Sequence, residues 1–428
     1  MADVDLLIRN CGEVVTAAGT TARRGVDLGR VERRTGAAVL ARGARIVAVG
    51  PDREVTSQAR AARTEIDAAG CSVLPGFVDP HTHAVFATPR AAEYAARIAG
   101  ARYEEIAASG GGIHSSVRAV RALSEDALVE ASLPRLAQLL VHGTTTLEIK
   151  SGYGLTLDDE LKMLRAMRRL ARRGPQEIVA TFMGAHELPE EFRQRRADYL
   201  QLLTQEMIPA AASLAEFNDV FCEPSVFTLE ESERILRAGA ACGLRPKLHA
   251  DELAPYGAAE LACRLGAVSA DHLMHVSAAG MRALAASDTV AVLLPATSFG
   301  LAKRDYAPAR ALVEAGAAIA LATDFNPGSS HCPSMQAVWS LACSMLRLTP
   351  AEGLVASTLN AAAALGRAAN IGSLEPGKRC DLVVLQVRDY REVPFTFGVN
   401  SVRQVVVAGR PVWTAPELPL PSREADTV

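Results

Sequence analysis

The chain has 428 residues, 49% of them hydrophobic and 22% charged, with a formal net charge of −3. That length exceeds what one small core organises, and it allows about two or three domains. The charge balance leaves no basic excess for nucleic acid or an anionic membrane surface. No run approaches the roughly 18 apolar residues that cross a bilayer, and MADVDLLIRNCGEVVTAAG at the start lacks a basic region before a long apolar core. A soluble cytoplasmic protein is expected. Its eight cysteines (Cys11, Cys71, Cys222, Cys242, Cys263, Cys332, Cys343 and Cys380) form no C-x-x-C pair, so free thiols in a reducing compartment are expected.

The first predicted elements are strands. DLLIRN, AAVLARGARIVAVG with a turn at Arg42-Gly43, and TEID alternate like hairpin-forming β structure. DLVVLQV (381–387) and SVRQVVVAGRPVW (401–413) repeat that character near the other end. Neither piece is large enough for a secure core alone. Residues 1–74 and 371–428 are therefore expected to build one small composite β-sandwich, with residues 75–370 inserted between them.

The middle has another rhythm. Eight apolar runs recur: VLPGFVDPH, GTTTLEIK, IVATFMGAH, FNDVFCE, LRPKLHA, AVSADH, VAVLLPA and AAIALATDF. Helical patterns such as TLDDELKMLRAMRRLARRG and TLEESERILRAGAACG separate them. Alternating β and α units imply parallel strands, and eight units suggest a closed (β/α)8 TIM barrel, with an open doubly wound sheet as competitor. Placement favours the barrel. His81, His83, Lys150, His186, His249, His272 and Asp324 all fall at or just past the C-terminal ends of runs, the face where barrel loops build active sites.

His81 and His83 are one strand repeat apart and project from the same face. Alone, such an H-x-H is as readily a polar strand end. With His249 from the fifth run and Asp324 from the eighth, the chain supplies three imidazoles and a carboxylate. That set suits a borderline divalent ion such as zinc with one position open to water, whose pKa the ion lowers towards about 7. KLHADEL also places Glu252 three residues beyond His249.

PGFVDPHTH with the later histidines and aspartate resembles the amidohydrolase superfamily. Within it, EIKSGYGL, GAHELP, KLHADEL, SADHLMH and ATDFNPGSS together resemble the imidazolonepropionases, a ring-opening family of histidine degradation, over residues 75 to 335. The resemblance implies one Zn2+ or Fe3+ per subunit, held by His81, His83, His249 and Asp324. It implies hydrolysis of the cyclic amide of 4-imidazolone-5-propanoate to N-formimidoyl-L-glutamate. Asp324 would take a proton from the attacking water, His272 would polarise the carbonyl or orient that water, and Glu252 would carry a proton to the leaving nitrogen. Arg90 matches the family's carboxylate-binding arginine, and a guanidinium grips a carboxylate with two parallel hydrogen bonds. Tyr153, His186 and Glu252 carry over as substrate contacts, and Asn326, Gly328 and Ser329 as donors to the new carboxylate. The partner implied is a small-molecule substrate, in a homodimer.

Other features rank lower. SGGGIHSS (109–116) lacks the strand and lysine of a phosphate loop and is expected to lie over the site. Lys150 ends the second barrel strand, not the fourth, and is not taken for a metal-bridging carbamate. His114 is expected to be solvated, and His142, His275 and His331 to be structural. A deaminase of the same superfamily is the nearest rival function. A non-catalytic barrel is the rival from another class, and retention of all four metal donors argues against it.

Overall fold

The structure is a computed structural model that describes residues 5–59, 63–101, 105 and 110–416. Residues 1–4, 60–62 and 417–428 of the expected sandwich segments, and Ser109 of the glycine-rich stretch, lie outside the described residues.

Two eight-stranded sheets form the architecture. The first takes β1 (Asp5–Thr16), β2 (Glu32–Arg42), β3 (Arg45–Pro51), β4 (Thr64–Asp67) and β5 (Ser72–Pro75) from one end of the chain. The second begins with β6 (Phe77–Asp79), β7 (Thr144–Lys150), β8 (Glu177–Ala185) and β9 (Phe217–Cys222). It continues with β10 (Arg245–Ala250), β11 (Ser269–His272), β12 (Val290–Leu293) and β13 (Ile319–Leu321). The chain then returns to the first sheet with β14 (Leu382–Leu385), β15 (Val402–Val407) and β16 (Arg410–Thr414). That sheet runs β16-β15-β14-β5-β1-β2-β3, with β4 also on β1.

Strand β2 shows why the terminal sheet holds. Ala37, Val39 and Ala41 face a core with Leu6, Ile8, Val14, Leu382 and Val406, while Ala38 and Leu40 face Leu7 and the helical Val55 on the other side. A strand covered on both faces reads as continuous apolar sequence, as AAVLA does. The ends of the sheet curl onto each other. Ile46 N–H donates to the Lys378 carbonyl at 2.9 Å and Cys380 N–H to that of Ala44 at 2.8 Å. Gly409, at φ +73°, lies so close to this seam that a Cβ would stand 2.2 Å from the Gly43 oxygen.

The expected first barrel strand divides between the two sheets. Ser72–Pro75 pairs with β1 and β14, and Phe77–Asp79 pairs with β7. Gly76 makes the changeover, because a Cβ there would sit 2.4 Å from Thr145 Oγ1. The eight parallel strands follow in chain order from β6 to β13. Their helices are locally encoded: Thr156 caps Leu157–Arg173, and Thr228 with Glu231 forms a capping box at Leu229–Ala241. No helix among the described residues is long and apolar enough to cross a membrane.

Closure of the barrel occurs just beyond its shortest strands. Thr82 and Phe325 pair in parallel, Asp324 N–H donates to the His81 carbonyl at 3.1 Å, and His83 N–H to that of Phe325 at 2.9 Å. Below them, the fully buried Asp79 accepts from Thr323 N–H at 3.1 Å and from its hydroxyl at 2.6 Å. Replacing Asp79 with Ala leaves both donors unpaired in the core, and should cost about 2–4 kcal/mol. The expected result is a lower urea midpoint at unchanged slope; a midpoint equal to wild type would show that the seam closes without this carboxylate.

Candidate active site

His81 and His83 lie just past β6, and His249 ends β10. One ring nitrogen from each lies within 4.8 Å of the others. Asp324 Oδ1 approaches His81 Nε2 at 3.6 Å and His83 Nε2 at 3.7 Å. The four side chains come from opposite sides of the closing seam and from the far wall of the barrel, and all are buried. The two Asp324 separations, 3.6 and 3.7 Å, are close to the edge of a tetrahedral set whose bonds are about 2.1 Å long. The His81 Nε2 is a buried polar atom without a hydrogen-bond partner, the kind of orphan that a bound ion explains. Burial holds the His81 and His83 imidazoles well below the usual histidine range, hence neutral, as metal ligands must be. The residues therefore fit a metal ion.

Two carboxylates orient these rings from behind. Asp271 Oδ2 accepts from His81 Nδ1 at 2.6 Å, and Asp219 Oδ1 from His249 Nδ1 at 3.2 Å. Donation from Nδ1 leaves the Nε2 lone pair directed inward. Burial opposes a charge on His249, but the charge and hydrogen bond of Asp219 outweigh it, raising that imidazole above its ordinary value. The sequence reading missed both aspartates and their companions Glu148 and Lys247. The signal was present: Glu148 and Lys150 in TTTLEIK, and Lys247 and His249 in RPKLHA, are charged or polar at alternate positions and so share the barrel's inner face.

Glu252 and His272 stand beside the cluster, with Glu252 Oε2 3.5 Å from His272 Nε2. Burial, reinforced by the charge of Asp324, pushes the Glu252 carboxyl up to about 7. Burial likewise pushes Asp324 up to about 6, although its Oδ2 accepts from Thr297 at 2.6 Å. A cation among the imidazoles would draw both down. His272 and Asp324 hold left-handed backbone conformations, at φ 76° and 50°. Such conformations are unfavourable for residues with a Cβ and persist where the surroundings impose them.

On the opening side, His186 stacks on His83 with ring centres 4.9 Å apart, and Tyr153 lies 5.8 Å from the same ring. The SGYG loop that carries Tyr153 wraps the buried carboxylate of Glu160, which accepts from the amides of Gly152, Gly154 and Leu155. Arg90 donates to Ser116 Oγ at 3.1 Å, and its Nε lies 3.2 Å from Glu93. Its guanidinium lies against Gly328, where a Cβ would be 1.7 Å from Nη2. Asn326, Gly328 and Ser329 form one self-bonded loop. Asn326 Oδ1 accepts from the amides of Gly328 and Ser329 at 2.8 Å, and its Nδ2 donates to the Asp324 carbonyl and Ser329 Oγ at 2.7 Å. The Gly328 and Ser329 amides and Asn326 Nδ2 are thus engaged inside the loop, where the Ser329 hydroxyl serves as an acceptor. His331 packs between Phe86 and Phe325, and the His142 carbonyl accepts from Gln336. His275 N–H donates to the Asp251 carbonyl at 2.8 Å.

Comparison with known proteins gives this geometry its context. The amidohydrolase family model matches residues 72–412. An imidazolonepropionase of Symbiobacterium thermophilum is 52% identical, over 96% of this chain and 97% of its own. Imidazolonepropionases of Geobacillus kaustophilus and Myxococcus xanthus are each 48% identical, over 95% of this chain and 97% of theirs. The chain belongs to the imidazolonepropionase family of amidohydrolases. Amidohydrolases are metal-dependent, and His81, His83 and His249 form a cluster able to hold the ion. More distant solved structures share the fold. An adenosine deaminase of Xanthomonas campestris with bound zinc has a TM-score of 0.70 at 21% identity, covering 95% of this chain and 92% of its own. The guanine deaminase of E. coli has 0.73 at 16%, covering 96% and 99%.

His81 and His83 lie past the end of β6, outside its paired residues, so the fold is expected to form without a bound ion. His81→Ala or His83→Ala should abolish stoichiometric metal in the purified protein while the far-UV circular dichroism stays that of wild type. Metal retained at one equivalent in either variant would place the ion elsewhere.

Proposed function

We propose that this chain is a metal-dependent imidazolonepropionase, hydrolysing the cyclic amide of 4-imidazolone-5-propanoate to N-formimidoyl-L-glutamate. The observation that carries the reading is the 52% identity to an imidazolonepropionase over 96% of the chain. The geometry supports it with four buried donors, a proton-carrying carboxyl beside them and a guanidinium at the opening.

His81, His83, His249 and Asp324 would hold one Zn2+ or Fe3+. Zinc is favoured by three imidazoles with one carboxylate, a borderline donor set. When bound, the ion supplies Lewis acidity, making water nucleophilic near neutrality. The chain's own residues do the rest. Asp324, anchored through Oδ2 by Thr297, takes a proton from the attacking water. That oxygen joins the ring carbonyl carbon, the C–N bond of the cyclic amide breaks, and the old carbonyl becomes the α-carboxylate. Glu252 passes a proton to the leaving nitrogen, a task suited to a carboxyl whose hold on its proton is strengthened by burial. Neutral His272 donates to the carbonyl oxygen or orients the water. Arg90 takes the propanoate, with Tyr153 and His186 forming the wall beside His83. Asn326, Gly328 and Ser329 shape the loop on which the guanidinium rests and border the place of the new carboxylate. All eight cysteines are free, which supports a reducing cytoplasmic location, and a homodimer is the assembly we propose from the family.

Arg90→Ala should raise KM strongly, because a desolvated carboxylate loses a charge-assisted partner worth on the order of 2–5 kcal/mol. Arg90→Lys should restore only part, lacking the planar fork. An unchanged KM in Arg90→Ala would move recognition of the propanoate to another residue.

Ring opening and deamination differ in product. The reaction should proceed without ammonia and should place label from 18O-water in the new carboxylate. Glu252→Gln should lower kcat by about 10²–10⁴-fold with a smaller effect on KM. One equivalent of ammonia per turnover would make the enzyme a deaminase, and a Glu252→Gln enzyme at full speed would remove the proton shuttle.

A further inference from the structure

Beneath the imidazoles lies a layer of five fully buried charged side chains: Glu148 and Lys150 on β7, Asp219 on β9, Lys247 on β10 and Asp271 on β11. Lys150 Nζ is 2.9 Å from Glu148, 2.7 Å from Asp219 and 3.4 Å from Asp271. Two of these three carboxylates are the ones that accept from ligand imidazoles, Asp271 from His81 and Asp219 from His249. Those imidazoles belong to the first and fifth barrel strands, which are not neighbours in the sheet. A single ammonium therefore spans the barrel interior and ties the supports of both. Lys247 extends the layer, pairing with Glu148 and donating to the Pro80 carbonyl at 3.1 Å, one residue before His81.

We propose that Lys150 is the positioning residue of the metal centre. By holding Asp219 and Asp271 in one arrangement it fixes His81 and His249 with Nε2 inward, and so sets the affinity for the ion. The inference rests on the metal-site reading above. Lys150 Nζ donates to carboxylates, those of Glu148 and Asp219, and acts on the rings through them. Stabilisation of the fold is a poor account of the layer, since buried ion networks replaced by apolar side chains of equal volume are often as stable or more so. Orientation of ligands accounts for it better, because both aspartates hold an imidazole with one side and the same ammonium with the other. Two ammonium groups against three carboxylates also leave one formal negative charge beneath the cluster, which favours a cation above it.

The test is zinc affinity of the metal-stripped, full-length protein, measured by competition with a chromophoric chelator. Lys150→Met and Asp271→Asn should each weaken zinc binding about 10–100-fold. The double variant should be no weaker than about the worse single one, because both changes undo one arrangement. At saturating zinc, the KM of Lys150→Met should stay near wild type. Wild-type zinc affinity in Lys150→Met, or losses that multiply in the double variant, would overturn the proposal. Should Lys150→Met fail to fold, a cycle of Asp219→Asn and Asp271→Asn keeps Lys150 in place; multiplying losses there show the two supports to be independent and equally overturn it. A wild-type protein that binds no zinc and no iron would instead overturn the metal-site reading, which is a different result.

Discussion

The constraint on which the site depends is the closing of the barrel between its first and last strands. Those strands are only three residues each, so closure passes to the residues beyond them. The Thr82–Phe325 pairing and the bond from Asp324 N–H to the His81 carbonyl join backbones whose side chains point into the same small volume. His81, His83 and Asp324 are thus set by hydrogen bonds of the fold, close to the strand ends. Asp79, gripping Thr323 one turn of the pleat below, extends that constraint into the core. A shift of one residue in this seam would turn His81 and His83 to the other face of the wall, because side chains alternate along an extended chain.

Charge is the second constraint. The inner face carries lysines and carboxylates at positions that an ordinary barrel fills with Val, Ile and Leu. Burying them is costly unless every charge has partners. Here each is answered: Lys150 by three acids, Lys247 by Glu148 and a carbonyl, and the two aspartates by lysine and imidazole. Three acids around Lys150 hold its ammonium protonated against strong desolvation. The polar layer and the apolar layers therefore have different duties, the latter holding the barrel closed and the former fixing the rings above it.

Much of this was legible in the chain. Eight apolar runs with polar residues at their C-terminal ends gave the barrel and the face of the site, because strand period and strand end are local properties. The gathering of His81, His83 and His249, with Asp324 beside them, was legible for the same reason. The orienting aspartates were not, since Asp219 in FNDVF and Asp271 in SADH read as ordinary strand residues until the closed barrel sets them behind His249 and His81. The split of VLPGFVDPH between two sheets was equally hidden. Continuous apolar sequence says that a segment is buried, but not that Val73 belongs to one core and Leu74 to another. The DFNPGSS loop reads as a set of donors to the new carboxylate, and what the sequence does not display is that the Gly328 and Ser329 amides also bond Asn326 Oδ1, a preference of asparagine for local backbone bonds.

That loop also joins the Asp324 end of the cluster to Arg90 at the opening of the barrel. Asn326 folds residues 326–330 around its own oxygen, which places Gly328 flat beneath the Arg90 guanidinium. The backbone amide of Arg90 in turn donates to the Pro327 carbonyl at 2.7 Å, so loop and arginine are locked as one unit. A Cβ at position 328 would displace the charge, so glycine is required there by the arginine and not by a left-handed backbone. Because the loop grows directly from Asp324 and is hydrogen-bonded to Arg90, the distance between that carboxylate and the guanidinium is fixed by a few residues. In the function proposed above, a carboxylate on a short arm from a cyclic amide is what such a fixed span would hold.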